Sequence, residues 1–205
     1  MLLLTLAAFA QSPALEADPV EAGMTCGAAA AATAGEPTVR LTVQASYFVM
    51  SATRADRQGK PFLQRFEELM GALAGHAGEL VRSGRVADGG GAIMAECDRR
   101  FPLARSTAPV RLPSDPLRRD LMCLGVTSFL EGASREGATG GTPTHAEMVR
   151  AQAAYTALLD DERMRGAGLG EDEDAMRVVG ELTADSLDLG NTEMVSRACM
   201  ARLGG

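Results

Sequence analysis

The positions of four cysteines constrain this chain most, because they divide its 205 residues into two similar halves. Cys26 follows Asp18-Pro19 with six residues between, and Cys123 follows Asp115-Pro116 at the same spacing. A glycine comes nine residues after each cysteine. Asp favours the N-cap of a helix, Pro its first position and Gly the residue beyond its end. The pattern therefore predicts that each half opens with a capped helix carrying one cysteine.

Further landmarks recur in the same order down to the end of each half, which indicates an internal duplication. Each half then begins with one cysteine and ends with another, so the predicted bridges are Cys26–Cys97 and Cys123–Cys199. The alternative is that Ala-rich amphipathic helices resemble one another through composition alone. The matching pairs are Gln44 with Gln152, Tyr47 with Tyr155, Ile93 with Val195, Cys97 with Cys199, and Arg100 with Arg202.

The first ten residues are apolar and end in Ala8-Phe9-Ala10, the small-x-small pattern of a signal-peptide cleavage site. The stretch is short and has no basic residue before Arg40, so we interpret it as a signal peptide that is either truncated or preceded by an upstream start. A buried N-terminal helix is the alternative. An even number of cysteines after an export signal favours disulfides in the periplasm or outside the cell. The rest of the chain has no apolar run long enough for a transmembrane span.

Helical signals dominate both halves, and we predict an all-α protein of two tandem units with about four helices each. One segment, 39–43, could form a strand, but its apolar spacing continues helically through Tyr47 and Met50. Thr144 and Glu147 form a capping-box pattern. The predicted helices are 19–34, 37–57, 61–83, 90–100, 116–131, 144–165, 172–188 and 191–203. The predicted units are the signal peptide 1–10, a first repeat 17–101, a Pro-rich linker 102–114 and a second repeat 115–205.

The charge balance argues against nucleic acid as a partner. The chain carries a net charge of -7, and its acidic excess lies in the second half. Affinity for nucleic acid comes from clustered Lys and Arg, and here the basic pairs are only Arg99-Arg100 and Arg118-Arg119.

The sequence carries no recognisable catalytic or metal-binding motif, and we expect no cofactor, no metal site and no enzyme. It has no C-x-x-C motif, and His76 and His145, its only histidines, fall in different halves. Methionines beside the cysteines could indicate soft Cu(I) binding, but packing of a sulfur-rich core around a disulfide is the favoured interpretation. An enzyme using scattered carboxylates remains a lesser alternative, and its candidates are Glu67, Glu68, Asp185 and Asp188.

We therefore expect an exported, disulfide-stapled helical binding or scaffold protein of the bacterial envelope. Its partner would be an envelope protein, a peptide or a small apolar ligand. Tyr47 and Tyr155 occupy matching positions and are the candidate binding residues, unless they are core residues with bonded hydroxyls. A stress-responsive periplasmic holdase chaperone is the alternative function.

Overall fold

The computed structural model describes residues 15–33, 39–135 and 144–204, and within these ranges it contains helices and no strand. The prediction of an all-α protein is confirmed. The predicted signal peptide, 1–10, lies outside the described residues. The helices are α1 (Pro19–Ala32), α2 (Val39–Ala55), α3 (Phe62–Arg82), α4 (Gly91–Arg100), α5 (Pro116–Arg135), α6 (His145–Leu158), α7 (Asp161–Gly166), α8 (Asp172–Asp185) and α9 (Thr192–Leu203), with a 3-10 turn at Ser186–Asp188 between the last two.

The helix starts follow the predicted capping residues. The Asp18 carboxylate accepts from the backbone N–H groups of the first turn of α1 at 2.9 Å. Asp115 accepts from the N–H of Arg118 at 2.7 Å, at the start of α5. Thr144 and Glu147 form the reciprocal capping box of α6. Each cap satisfies amides that have no partner within the helix, which fixes where the helix begins.

Two predicted helix ends are wrong. The helix predicted to stop before Gly132 continues to the end of α5, because Leu130 and Glu131 are buried and packing outweighs the weak helix propensity of one glycine. The helix predicted over 144–165 ends at Leu158. Asp160 then caps a new helix, α7, by accepting from the N–H of Arg163 at 2.8 Å. That local hydrogen bond competes with continuation of the previous helix.

The predicted disulfides are confirmed. Cys26–Cys97 joins α1 to α4 across 71 residues, and Cys123–Cys199 joins α5 to α9 across 76 residues. All four cysteines are fully buried. The two halves therefore share a bridge between their first and last helices, while their origin by duplication and the proposed repeat boundaries stay predictions.

A separate apolar core surrounds each disulfide. The larger residues of the first core include Met24, Phe48, Phe62 and Ile93. Those of the second include Leu121, Met122, Tyr155 and Val195. Met24, Met94 and Met122 are buried in these cores beside the bridges, as expected for methionine that fills gaps between helices.

The halves pack against each other through α2, α3, α5 and α8. Ala184 and Leu187 of the second half belong to the first core. Arg54 forms an ion pair with Asp188 at 2.6 Å across the halves. The side-chain amide of Asn191 donates to three carbonyls of the linker, those of Leu103, Ala104 and Ser106. The second half is thereby held to the first by apolar packing, ion pairs and a bound linker.

Helix α5 approaches α8 closely at Gly125. A Cβ on Gly125 would lie 2.2 Å from Thr183 Oγ1 and 2.9 Å from Val179 Cγ1. We expect Gly125→Ala to lower the free energy of unfolding by about 1–3 kcal/mol, measured by chemical denaturation, because the helices must separate. Gly132→Ala is the control on the same helix, since its Cβ meets nothing within 4 Å, and it should leave stability unchanged or raise it by up to about 1 kcal/mol. Equal effects of the two substitutions would contradict close packing at Gly125.

Candidate functional site

A groove lies between the two halves, where the first turn of α3 faces the N-terminal part of α8. Its volume is about 670 Å³, which lies within the range of pockets that bind small ligands. We call it the inter-half groove. Its lining residues are Pro61, Phe62, Leu63, Gly170, Glu171, Asp172, Glu173, Asp174, Met176, Arg177 and Gly180.

The floor of the inter-half groove is apolar. Phe62 is almost fully buried, whereas 55% of Met176 is exposed to solvent. Gly180 permits the close approach of the two helices, because a Cβ there would lie only 3.0 Å from Leu63 Cγ. Pro61 precedes α3 and places Phe62 and Leu63 at its start. The floor therefore combines residues from both halves and leaves one large side chain open to an incoming apolar group.

The rim of the inter-half groove is acidic. Four carboxylates, at 171–174, stand at the start of α8, where the positive end of the helix dipole stabilises negative charge. Arg177 pairs with Asp174 at 2.9 Å. The ionisable lining residues therefore sum to a formal charge of -3, four carboxylates and one guanidinium. Within the described residues, no ion pair is formed by Glu171, Asp172 or Glu173.

On the side of this groove towards α2, Arg57 contacts both Phe62 and α8. Its guanidinium lies 5.6 Å from the centre of the Phe62 ring, and it forms an ion pair with Glu181 of α8. Cation–π contact and the ion pair together hold Phe62 and α8 in register across the halves. Arg57 is therefore paired with Phe62 and Glu181, and not with the carboxylates of the rim.

A second groove, of about 550 Å³, lies within the second half between α6 and α9. Its ionisable lining residues are Glu147, Arg150 and Arg197, which sum to a formal charge of +1. Its apolar lining consists of Ala151, Ala154, Met200 and Leu203. This groove has no share in the junction of the halves and no single-sign rim.

The two candidate tyrosines lie in the cores, and neither lines either groove. Tyr155 is fully buried and donates to the carbonyl of Cys199 at 2.8 Å. Tyr47 is 6% exposed and donates to the carbonyl of Leu187 at 3.4 Å. Burial raises the pKa of both hydroxyls above the ordinary value, and the carboxylate of Asp188 raises that of Tyr47 further. Both hydroxyls are therefore bonded within the fold, and a binding role for the pair stays a prediction.

The scattered carboxylates do not form an acid–base pair with one another through any described hydrogen bond. Glu68 binds Lys60 and Arg65, Asp185 binds Arg118, and Asp188 binds Arg54. Hydrogen bonds from Arg54 hold the pKa of Asp188 below its usual value. Glu67 is exposed on α3. Glu68, Asp185 and Asp188 are thus ion-pair partners of basic side chains in the structure.

Metal ligands do not cluster in the part of the chain that the structure describes. No group of three or more His, Cys, Asp or Glu side chains is placed to hold a metal ion there. His76 is half-buried on α3, and His145 Nδ1 lies 3.9 Å from a carboxylate oxygen of Glu131. Among the same residues, no helix has the length and apolar character needed to cross a membrane.

Comparisons with protein-family models, with curated proteins and with solved structures found no match. The geometry and charge of the grooves are therefore the features of this chain that point to a function. The predicted helix 172–188 begins at this acidic segment, but no sequence pattern indicated the apolar residues beside it in the groove, Phe62, Leu63 and Met176. Those residues carry no local motif, and only the packing of α3 on α8 brings them together.

Proposed function

We propose that this chain is an exported, disulfide-stapled helical binding protein of the bacterial envelope, and that its inter-half groove binds a basic peptide segment with an apolar anchor. The observation that supports this most directly is the combination of an apolar floor with a rim of formal charge -3. The floor would accept one or two apolar side chains. The rim would attract Lys or Arg beside them.

The chemistry of the groove favours this class of ligand over the others considered. A neutral apolar ligand would bury Leu63 and Met176 but gain nothing from the carboxylates. An acidic segment would be repelled by them. Complementary charge raises the association rate and selects the partner, while burial of the apolar anchor supplies affinity.

Export is the second component of the proposal. Two buried disulfides are compatible with an oxidising compartment, where such bridges form and persist. The apolar stretch at 1–10, with its small-x-small ending, supports the same destination. A disulfide-bonded scaffold would also keep the groove formed where no ATP-dependent chaperone repairs it.

The test is a titration of the disulfide-bonded protein with synthetic peptides of equal length. One peptide carries Leu at helical spacing with Lys and Arg, and its comparator carries Glu at the basic positions. We expect saturable binding of the basic peptide only. Neutralising the rim with Asp172→Asn and Glu173→Gln should weaken it about fivefold, because each exposed charge contributes a few tenths of a kcal/mol to 1 kcal/mol. Met176→Ala should weaken it independently of salt, because it removes apolar contact.

The matched control neutralises two carboxylates in the first turn of the neighbouring helix α7. Asp161→Asn with Glu162→Gln makes the same change in net charge, and neither residue lines the inter-half groove. We expect this control to change the affinity by less than a factor of about two at physiological salt. Equal binding of the acidic peptide, or equal losses in the rim and control variants, would rule the groove out as the site.

A further inference from the structure

A buried carboxylate in the second half is surrounded by three arginines. Asp120 of α5 is 2% exposed. Arg163 of α7 and Arg202 of α9 each place an Nη1 atom 2.9 Å from one of its oxygens, and Arg119 places Nε at 3.5 Å. Three elements that are distant in sequence thus direct guanidinium groups at one carboxylate. We call these residues the arginine cluster.

The charges of the arginine cluster do not balance. Three guanidinium groups around one carboxylate carry a formal charge of +2, in a chain whose net charge is -7. In the described residues, Arg163 has one further acceptor, the carbonyl of Leu158 at 2.7 Å. Arg202 also interacts with the hydroxyl of Tyr155. Its hydrogen bond and its positive charge oppose the rise in the pKa of Tyr155 that burial causes. Neither acceptor carries negative charge.

Asp120 also leaves hydrogen-bonding capacity unused. Its Oδ1 is buried within ion-pair distance of Arg202 and Arg119 but accepts no hydrogen bond of normal geometry. The Nε donor of Arg119 is likewise buried, and the described part of the chain offers it no acceptor. A buried donor without an acceptor costs free energy of folding. A planar guanidinium with free N–H groups is well suited to bind an oxyanion. Among the described residues, the three arginines therefore do not satisfy Oδ1 of Asp120, and Asp120 does not satisfy Nε of Arg119.

The three arginine side chains of the cluster are partly exposed to solvent. The side chains of Arg119, Arg163 and Arg202 are 20%, 30% and 32% exposed, whereas Asp120 beneath them is closed off. The neighbouring Arg118 behaves differently, since it is 52% exposed and pairs with Asp185 of α8. Of the two adjacent arginines, Arg118 therefore has a carboxylate of its own, whereas Arg119 shares Asp120 with two other arginines.

We propose that Arg119, Arg163 and Arg202 form a binding site for a phosphate group. A phosphate dianion matches the formal charge of +2 and offers enough oxygens for three guanidinium forks, whereas a carboxylate neutralises only half of the charge. Asp120 acts as the positioning residue that holds the three side chains together. The site differs from the inter-half groove in sign of charge and in every residue.

The experiment titrates the intact disulfide-bonded protein with inorganic phosphate at about pH 8, where the dianion predominates, with chloride added to keep the ionic strength constant. We expect saturable binding at one site per chain, followed by calorimetry or NMR chemical shifts. Glycerol phosphate forms the second arm. Its binding would show that the phosphate group is taken as part of an ester, and its failure to bind beside free phosphate would restrict the site to the free ion. Either result supports the site.

Two adjacent arginines supply the matched variants. Arg119→Gln should weaken phosphate binding about tenfold, as expected for loss of a charge-assisted hydrogen bond, while Arg118→Gln makes the same change in net charge and should leave it within about twofold. Circular dichroism checks that each variant is folded. Absence of saturable binding to the unmodified protein, acetate binding as tight as phosphate, or equal losses in the two variants would each overturn the proposal. Because no step involves the peptide groove, failure here leaves the proposed function unaffected.

Discussion

Replacing the second disulfide by Cys123→Ala with Cys199→Ala is expected to lower the free energy of unfolding by about 4 kcal/mol. The bridge closes a loop of 76 residues, and the chain-entropy model assigns a stabilisation of that size to such a loop. Both cysteines are fully buried, so loss of the two sulfurs also leaves space in the second core. Because whole domains are stable by only about 5–15 kcal/mol, the second half should unfold at much lower denaturant concentration.

The control for this prediction is Ser196→Ala, one turn before Cys199 on α9. Ser196 is also fully buried, and its hydroxyl has no hydrogen-bond partner among the described residues, so its removal should not destabilise the protein. A loss below about 1 kcal/mol in the double cysteine variant would contradict the stabilising role of the bridge. Non-reducing peptide mapping of protein recovered after export checks the pairing and the mature N-terminus together. A start at Gln11 is the result expected from the apolar segment before it.

Substituting Asp120 is expected to cost about as much as removing a disulfide. Asp120→Asn keeps the shape of the side chain but leaves three guanidinium groups facing one another without a counter-charge. Breaking a buried ion pair in this way costs about 3–5 kcal/mol, and we expect about 3 kcal/mol because the arginines keep partial access to water. Thermal and chemical denaturation measure the loss. Phosphate should restore part of the stability, since it replaces the missing negative charge.

Asp115→Asn is the matched control for Asp120→Asn. The two residues lie on the same helix, but Asp115 is exposed and caps α5 by accepting from the N–H of Arg118. Asn caps helices about as well as Asp, so the change should stay within about 0.5 kcal/mol. If Asp120→Asn were equally mild, the arginine cluster would not depend on its carboxylate, and Asp120 would have no positioning role.

The features that the sequence predicted best are those that depend on local chemistry. The caps at Asp18, Asp115 and Thr144 were predictable because each depends on a few consecutive residues. The break between α6 and α7 was not anticipated, although Asp160 carried the same capping signal inside an apolar periodic run. Where two local signals conflict, periodicity alone does not show which one prevails.

The sequence by itself determined the helical class, the helix starts other than that of α7, and the partners of both disulfides, because these follow from short patterns and from the order of four cysteines. Only the tertiary structure decided where the side chains of the proposed sites meet. The apolar floor joins Leu63 to Met176, and the carboxylate of Asp120 meets Arg163 and Arg202, through packing of helices far apart along the chain. Contacts of this kind have no local sequence pattern, because they depend on how α3, α7, α8 and α9 pack. That packing is determined by the buried surface of the whole fold.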